Sequence, residues 1–297
     1  MATKTAVNLH KQATIMRILF PTNLSEQSAE TFDFAVHLAK KLHAELSLLH
    51  VYPVPMTLPA MDESRTADLA DEMLQNAQIA NEERLEAFKN QLVERYQGTY
   101  PDISATECHL RMGFVGEEVA RHAEEIQADF VMITARRSSG LKRFLGGSDV
   151  SSIIRKCECP VITIPEQYHF HNMDKIAYAT DLTFSDNEVI ARLLLLGDKL
   201  GAMIKCFHVH DSNLDVENAI IKDFIEQYRD EANRRAITFD LVDNINIHDG
   251  IDYYVKNNNI DLLVVLKQKK YWLDIFEGSI TKQLVFQEKI PMLIYHE

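Results

Sequence analysis

Short apolar runs alternate with longer stretches of helical period along this chain. The first run, residues 16–21 (MRILFP), closes on a Pro-Thr-Asn turn. From Glu26 to His43 the apolar positions Phe32, Ala35, Val36, Ala39 and Leu42 recur at three- and four-residue steps, the spacing of one helix face. The pattern then predicts a strand over 45–51, a long charged helix over 67–96, an alternating strand over 105–112, a helix over 115–126 and a buried strand over 129–135. A helix over 148–156 and a strand over 160–165 complete the series. A second series follows, with strands at 175–180, 202–209, 237–242, 260–266 and 291–295 and helices at 185–200, 216–235, 250–257 and 279–287. Strands that alternate with helices predict βαβ units and a parallel sheet covered on both faces. Runs as apolar as Leu262 to Leu266 fit strands buried on two sides.

The two series are copies of one another. Thr22-Asn23-Leu24 answers Thr180-Asp181-Leu182, and His50-Val51 answers His208-Val209, both at an offset of 158. Asp129 answers Asp261 at 132, and Gly147-Ser148 answers Gly278-Ser279 at 131. The difference, 158 − 132, puts 26 extra residues between the second and third strands of copy one. That insert, 52–79, carries Pro53, Pro55 and Pro59 and reads as a surface loop or a cover. The expected domains are 15–166 and 173–297. Each is a Rossmann-like five-stranded parallel sheet of order 3-2-1-4-5 with helices on both faces. The two are related by a pseudo-two-fold axis, with the last strands adjacent because edges demand cover.

Charge narrows the partners. The 297 residues carry a net charge of −13, and a field of that sign repels nucleic acid and anionic membranes. Neither is expected as a partner. Four cysteines make no disulfide framework, and no apolar run approaches the roughly 20 residues of a membrane helix. A cytoplasmic setting is the expectation. Cys157, Cys159, His169 and His171 have a spacing open to zinc, but Cys159 begins a strand and reads as a small core residue, so no metal is expected. Ser25, Ser148 and Ser279 have no base at a recognisable spacing, and no catalytic residue is assigned.

In open parallel sheets, ligands bind beyond the carboxyl ends of the strands where strand order reverses. That rule singles out Asn23, Val51, Gly147 and Ser148 in copy one, and Thr180, Asp181, Val209, Gly278 and Ser279 in copy two. The Thr-Asn-Leu-Ser and Thr-Asp-Leu-Thr turns, the His-Val pairs, Asp before strand four, and Gly-Ser twelve residues ahead of Cys159 and Ile290 together resemble the universal stress protein family in its tandem form. The resemblance covers residues 15–297. It implies a stress-response regulatory or binding protein rather than an enzyme, with the two copies paired, a second chain in a homodimer and a signalling protein as candidate partners.

ATP-binding members of that family carry G-x2-G-x9-G-[ST] after strand four. Counting back from Gly147 puts Thr134 and Arg137 at the two earlier glycines, and counting back from Gly278 puts Val265 and Gln268 there. Both copies have lost both glycines, so their nucleotide motifs are degenerate. Asn23 stands where the family has a nucleoside-holding Asp, which copy two keeps as Asp181. Gly147 and Gly278 are therefore expected to serve turns, with Ser148 and Ser279 as helix caps. No cofactor is firmly implied. If an adenine nucleotide such as ATP binds, copy two is where the resemblance places it, through Asp181, Val209, Gly278, Ser279 and Thr281, the last being the small hydroxyl that the family carries after its Gly-Ser. Slow ATP hydrolysis, and carriage of a small apolar ligand under the insert, stand as alternatives.

Overall fold

The computed structural model describes residues 15–55, 63–98, 103–135, 148–183, 185–210, 214–267 and 290–297; the side chains of 63–68, 104, 148 and 214–218 are not among them. Copy one runs β1 (Arg17–Thr22), α1 (Glu26–Leu42), β2 (Glu45–Tyr52), α2 (Glu63–Tyr96), β3 (Glu107–Met112), α3 (Val115–Glu125), β4 (Phe130–Ala135), α4 (Ser148–Lys156) and β5 (Val161–Pro165). Copy two runs β6 (Lys175–Ala179), α5 (Asp186–Leu200), β7 (Met203–His210), α6 (Leu214–Gln227), α7 (Arg229–Asn233), β8 (Ile237–Asp243), α8 (Ile247–Asn258), β9 (Leu262–Lys267) and β10 (Met292–His296).

The expected 3-2-1-4-5 order appears in both copies, but the two sheets are one. Strands run β3-β2-β1-β4-β5-β10-β9-β6-β7-β8 in a single ten-stranded sheet. Every described pairing is parallel except the junction, where β10 meets β5 antiparallel with Leu293 opposite Ile162. The two last strands would each have exposed a row of unpaired backbone groups, and their pairing removes both edges. Val161, Ile162, Leu293 and Ile294 are buried there, so the junction is part of the core.

Local chemistry repeats with the sequence. Asp129 accepts from the Arg17 backbone N–H at 2.8 Å, and Asp261 from that of Lys175 at 2.9 Å, so each Asp anchors the start of its copy's first strand. His43 and Gly201 end α1 and α5 in the left-handed region, with φ of 52° and 71°. Residues 166–174 pack against copy one: Phe170 stacks on His37 at 5.0 Å and meets Phe34 edge-on at 5.3 Å.

Three expectations are corrected. The long helix expected over 67–96 is α2, but it begins four residues earlier, at Glu63, so most of the 52–79 insert is helix and not loop. The second half of α2 buries Leu85, Phe88, Leu92 and Tyr96, spaced three and four apart, and is held to α1 by Gln91 and Arg95 on Glu26 and by the Tyr96 hydroxyl on the Ala29 carbonyl. The single helix expected over 216–235 breaks at Tyr228 into α6 and α7. The helix expected from Gly250 starts at Ile247, with Asn246 capping it by accepting from the Asp249 N–H. The helix expected over 279–287 lies outside the described residues. No described helix is long and apolar enough to cross a membrane.

Candidate functional site

β1 ends in a turn built from its own side chains. Leu24 takes a φ of 61°, and its N–H donates to Thr22 Oγ1 at 3.0 Å. Thr22 Oγ1 also lies 2.8 Å from Ser28 Oγ. Asn23 Oδ1 accepts from the Ser25 N–H at 3.2 Å and from Ser25 Oγ at 2.6 Å, while Ser25 Oγ accepts from the Ser28 N–H and caps α1. The Asn23 carbonyl is thus committed to shaping the turn.

Above this turn lies a cavity of about 320 Å³ at the carboxyl ends of β1, β2 and β4. That is the switch point between β1 and β4, where strand order reverses. Thr22, Asn23, Ser25 and Ser28 line one wall, Val51, Ile133 and Thr134 the floor, and Asp149, Val150 and Ile153 of α4 the other wall. No Lys or Arg is among these described lining residues. α4 comes this close because α3 carries Gly116 at the contact, where a Cβ would lie 2.0 Å from Ser152 Oγ. Sequence reading placed Asn23 and Val51 in this site, and both line it. Ser148 opens α4, but its side chain, Gly147 and Arg137 lie outside the described residues. Gln27, Ser28, Val115 and Ile153 were missed. They come from helices, and helix phase against a strand end is not written in a local pattern.

Copy two builds the same turn with a buried charge in it. Leu182 has a φ of 57° and donates to Thr180 Oγ1 at 2.9 Å. Thr180 Oγ1 donates to Asp186 Oδ2 at 2.7 Å, and the Thr183 N–H donates to the same oxygen at 2.6 Å. Tyr178 donates to Asp186 Oδ1. Asp186 is 1% exposed, and these donors offset the cost of its burial. Copy one has Ser28 and Phe20 at the positions of Asp186 and Tyr178, each 158 earlier. Asp181 keeps an exposed surface, yet partial burial of its carboxyl group, and then the Asp186 carboxylate, push its pKa up. Val209 is held close to α8, where a Cβ on Gly250 would lie 2.5 Å from Val209 Cγ1. Gly278, Ser279 and Thr281 lie outside the described residues.

The other clusters resolve into structure. His208 donates through Nδ1 to the Thr180 carbonyl, and His171 pairs with Asp261 at 3.1 Å. Among the described residues no three His, Cys, Asp or Glu side chains converge as a metal site. All four cysteines are free thiols.

Fold and cleft define a doubly wound α/β protein with its cleft at the strand ends. Residues 14–165 match the Universal stress protein family, and the chain belongs to that family. A universal stress protein of Methanocaldococcus jannaschii is 28% identical over 163 residues, 53% of this chain and 83% of its own. Universal stress protein G of Shigella flexneri is 32% identical over 150 residues, 50% of this chain and 96% of its own. Across both copies, the crystal structure of a universal stress protein from Archaeoglobus fulgidus is similar with a TM-score of 0.66 at 16% identity, covering 95% of this chain and 96% of that one. A putative universal stress protein from Pseudomonas aeruginosa gives a TM-score of 0.59 at 12% identity. At such identities the likeness shows the fold alone.

Proposed function

We propose that this chain is a cytoplasmic, non-catalytic binding protein whose copy-one cleft takes a neutral polar ligand of nucleoside size in preference to a nucleoside triphosphate. The observation that carries the reading is Asp149, an exposed carboxylate on the first turn of α4 that lines the cleft. A helix N-terminus facing a strand-end cleft is a ready seat for phosphate. Here a carboxylate shares that seat and takes the favourable end of the helix dipole. A triphosphate would bring several negative charges against it, and like charges brought together are costly in a partly desolvated cleft. The cleft volume, about 320 Å³, lies at the small end of the roughly 300–1,000 Å³ of small-molecule pockets. The hydroxyls of Thr22, Ser25 and Ser28 are bonded within the turn and not to a base, which supports binding over catalysis.

Titration calorimetry on the full chain with adenosine and with magnesium ATP tests this. Adenosine is expected to bind at least tenfold more tightly than ATP, and Asp149→Asn to narrow that gap. ATP binding as tight as adenosine's, unchanged by Asp149→Asn, overturns it.

A second reading rests on Asp181, the carboxylate that copy two keeps at the end of β6, and assigns an adenine nucleotide there. Asp181→Ala would then abolish ATP binding by the full chain while leaving adenosine binding intact.

A further inference from the structure

The carbonyl of Ile154, in the last turn of α4, accepts two hydrogen bonds from the other copy. Lys267 Nζ donates at 3.0 Å and His296 Nε2 at 2.7 Å. The two donors sit side by side at the carboxyl ends of β9 and β10, where His296 is in register with Lys267. Lys267 is 3% exposed. The last four carbonyls of a helix lack intrahelical partners, and the negative end of the helix dipole favours cations. Copy two therefore supplies the C-terminal cap of a copy-one helix.

That helix also walls the cleft. Asp149, Val150 and Ile153 line it, and Ile153 immediately precedes the doubly bonded Ile154. Cys157 follows within the same buried cluster, its N–H bonded to the Ile153 carbonyl at 2.9 Å. α4 has nine residues, so a disturbance at Ile154 lies within one turn of the cleft wall. Lys267 ends β9, and the carboxyl end of that strand is where copy two's own strand-end site is expected.

We infer that α4 couples the two copies: the bonds from Lys267 and His296 to Ile154 clamp this helix, so that copy two sets the shape and affinity of the copy-one cleft. The clamp itself is independent of what the cleft binds; the affinity consequence rests on the ligand reading above. Lys267 acts as a positioning residue, since it touches the helix and not the cleft. Coupling of this kind is reciprocal, so a ligand that orders the cleft wall also strengthens the clamp.

Hydrogen exchange and calorimetry on the full chain, comparing the parent with Lys267→Met and His296→Gln, test the inference. Methionine keeps the apolar stem and removes the donor; glutamine keeps a donor toward Ile154. In Lys267→Met, exchange is expected to accelerate at least tenfold along α4, including the backbone N–H groups of Ser152 and Ile153, with the β1 and β6 strands unchanged. Adenosine affinity is expected to fall about tenfold. His296→Gln is expected to leave both near the parent values. Acceleration confined to residues 155–157, or spread equally over β1 and β6, overturns the clamp. Faster exchange at Ser152 and Ile153 with unchanged adenosine affinity overturns the coupling. A parent that binds no adenosine, with the α4 acceleration still seen in Lys267→Met, overturns the ligand reading and leaves the clamp standing.

Discussion

His208 donates through Nδ1 to the backbone carbonyl of Thr180 at 2.7 Å, and 158 residues earlier His50 makes the same bond to Thr22 at 2.9 Å. A carbonyl can only accept, so in both copies Nδ1 carries the proton. The bond ties the end of the second strand to the turn that closes the first, below each strand-end site. His50 is buried, and its loss would remove a donor from the Thr22 carbonyl in a place where little water can replace it. His50→Leu is expected to cost about 1–3 kcal/mol in urea unfolding, and His208→Leu, at a half-buried site, less. Equal, negligible costs at both sites would show that the repeated bond is incidental.

The buried polar group of copy two makes a sharper case, because copy one supplies its apolar counterpart. Tyr178 and Asp186 replace Phe20 and Ser28. Tyr178→Phe alone leaves a buried carboxylate one donor short, with an expected cost of about 1–3 kcal/mol. Asp186→Ser alone leaves the Tyr178 hydroxyl buried without its acceptor. The double variant Tyr178→Phe with Asp186→Ser restores the copy-one pair, and is expected to be at least 1 kcal/mol more stable than the sum of the single costs. Additive costs within 0.5 kcal/mol would show that the two side chains do not act as a unit.

Much of this architecture is legible in the sequence because the repeat fixes it twice. The offsets that align Thr22 with Thr180 and Asp129 with Asp261 also align strand ends, left-handed helix caps and strand anchors in space. What the pattern leaves out is what depends on how one element approaches another. The α6–α7 break at Tyr228 falls inside a stretch whose apolar period continues, so tertiary contact decides it: the Tyr228 hydroxyl bonds to Asn187 Oδ1 of α5 at 3.0 Å. Lys267 reads as one charge in a basic cluster, yet the antiparallel β5–β10 junction brings it to Ile154, 113 residues away. The cleft divides in the same way. Asn23 and Val51 follow from strand ends, whereas Ser28 and Ile153 depend on helix rotation.

His296 gives the clamp a titration of its own. Burial pushes its pKa down from 6.5 to about 4, outweighing the opposing effect of its bond to the Ile154 carbonyl, and the Lys267 charge acts in the same direction as burial. Between pH 6.5 and about 4 the unfolded chain takes up a proton that the folded chain refuses. Folding stability from this residue is therefore complete above 6.5, declines as the pH falls through that window, and is lost below about 4. The interval corresponds to about 3 kcal/mol. Lys267 adds nothing here, because its pKa, pushed down to about 8 by burial and by Arg155, leaves its charge unchanged across the acid window. Carboxylates elsewhere titrate in the same range, so the measurement is a difference: unfolding free energies of the parent and of His296→Gln from pH 7 to pH 4. Glutamine keeps a donor but takes up no proton. The parent's stability relative to the variant is expected to fall by about 3 kcal/mol over that range, with most of the fall below pH 6. A difference that stays flat would mean that His296 charges as readily in the fold as in water, and that Ile154 is not enclosed by copy two in solution.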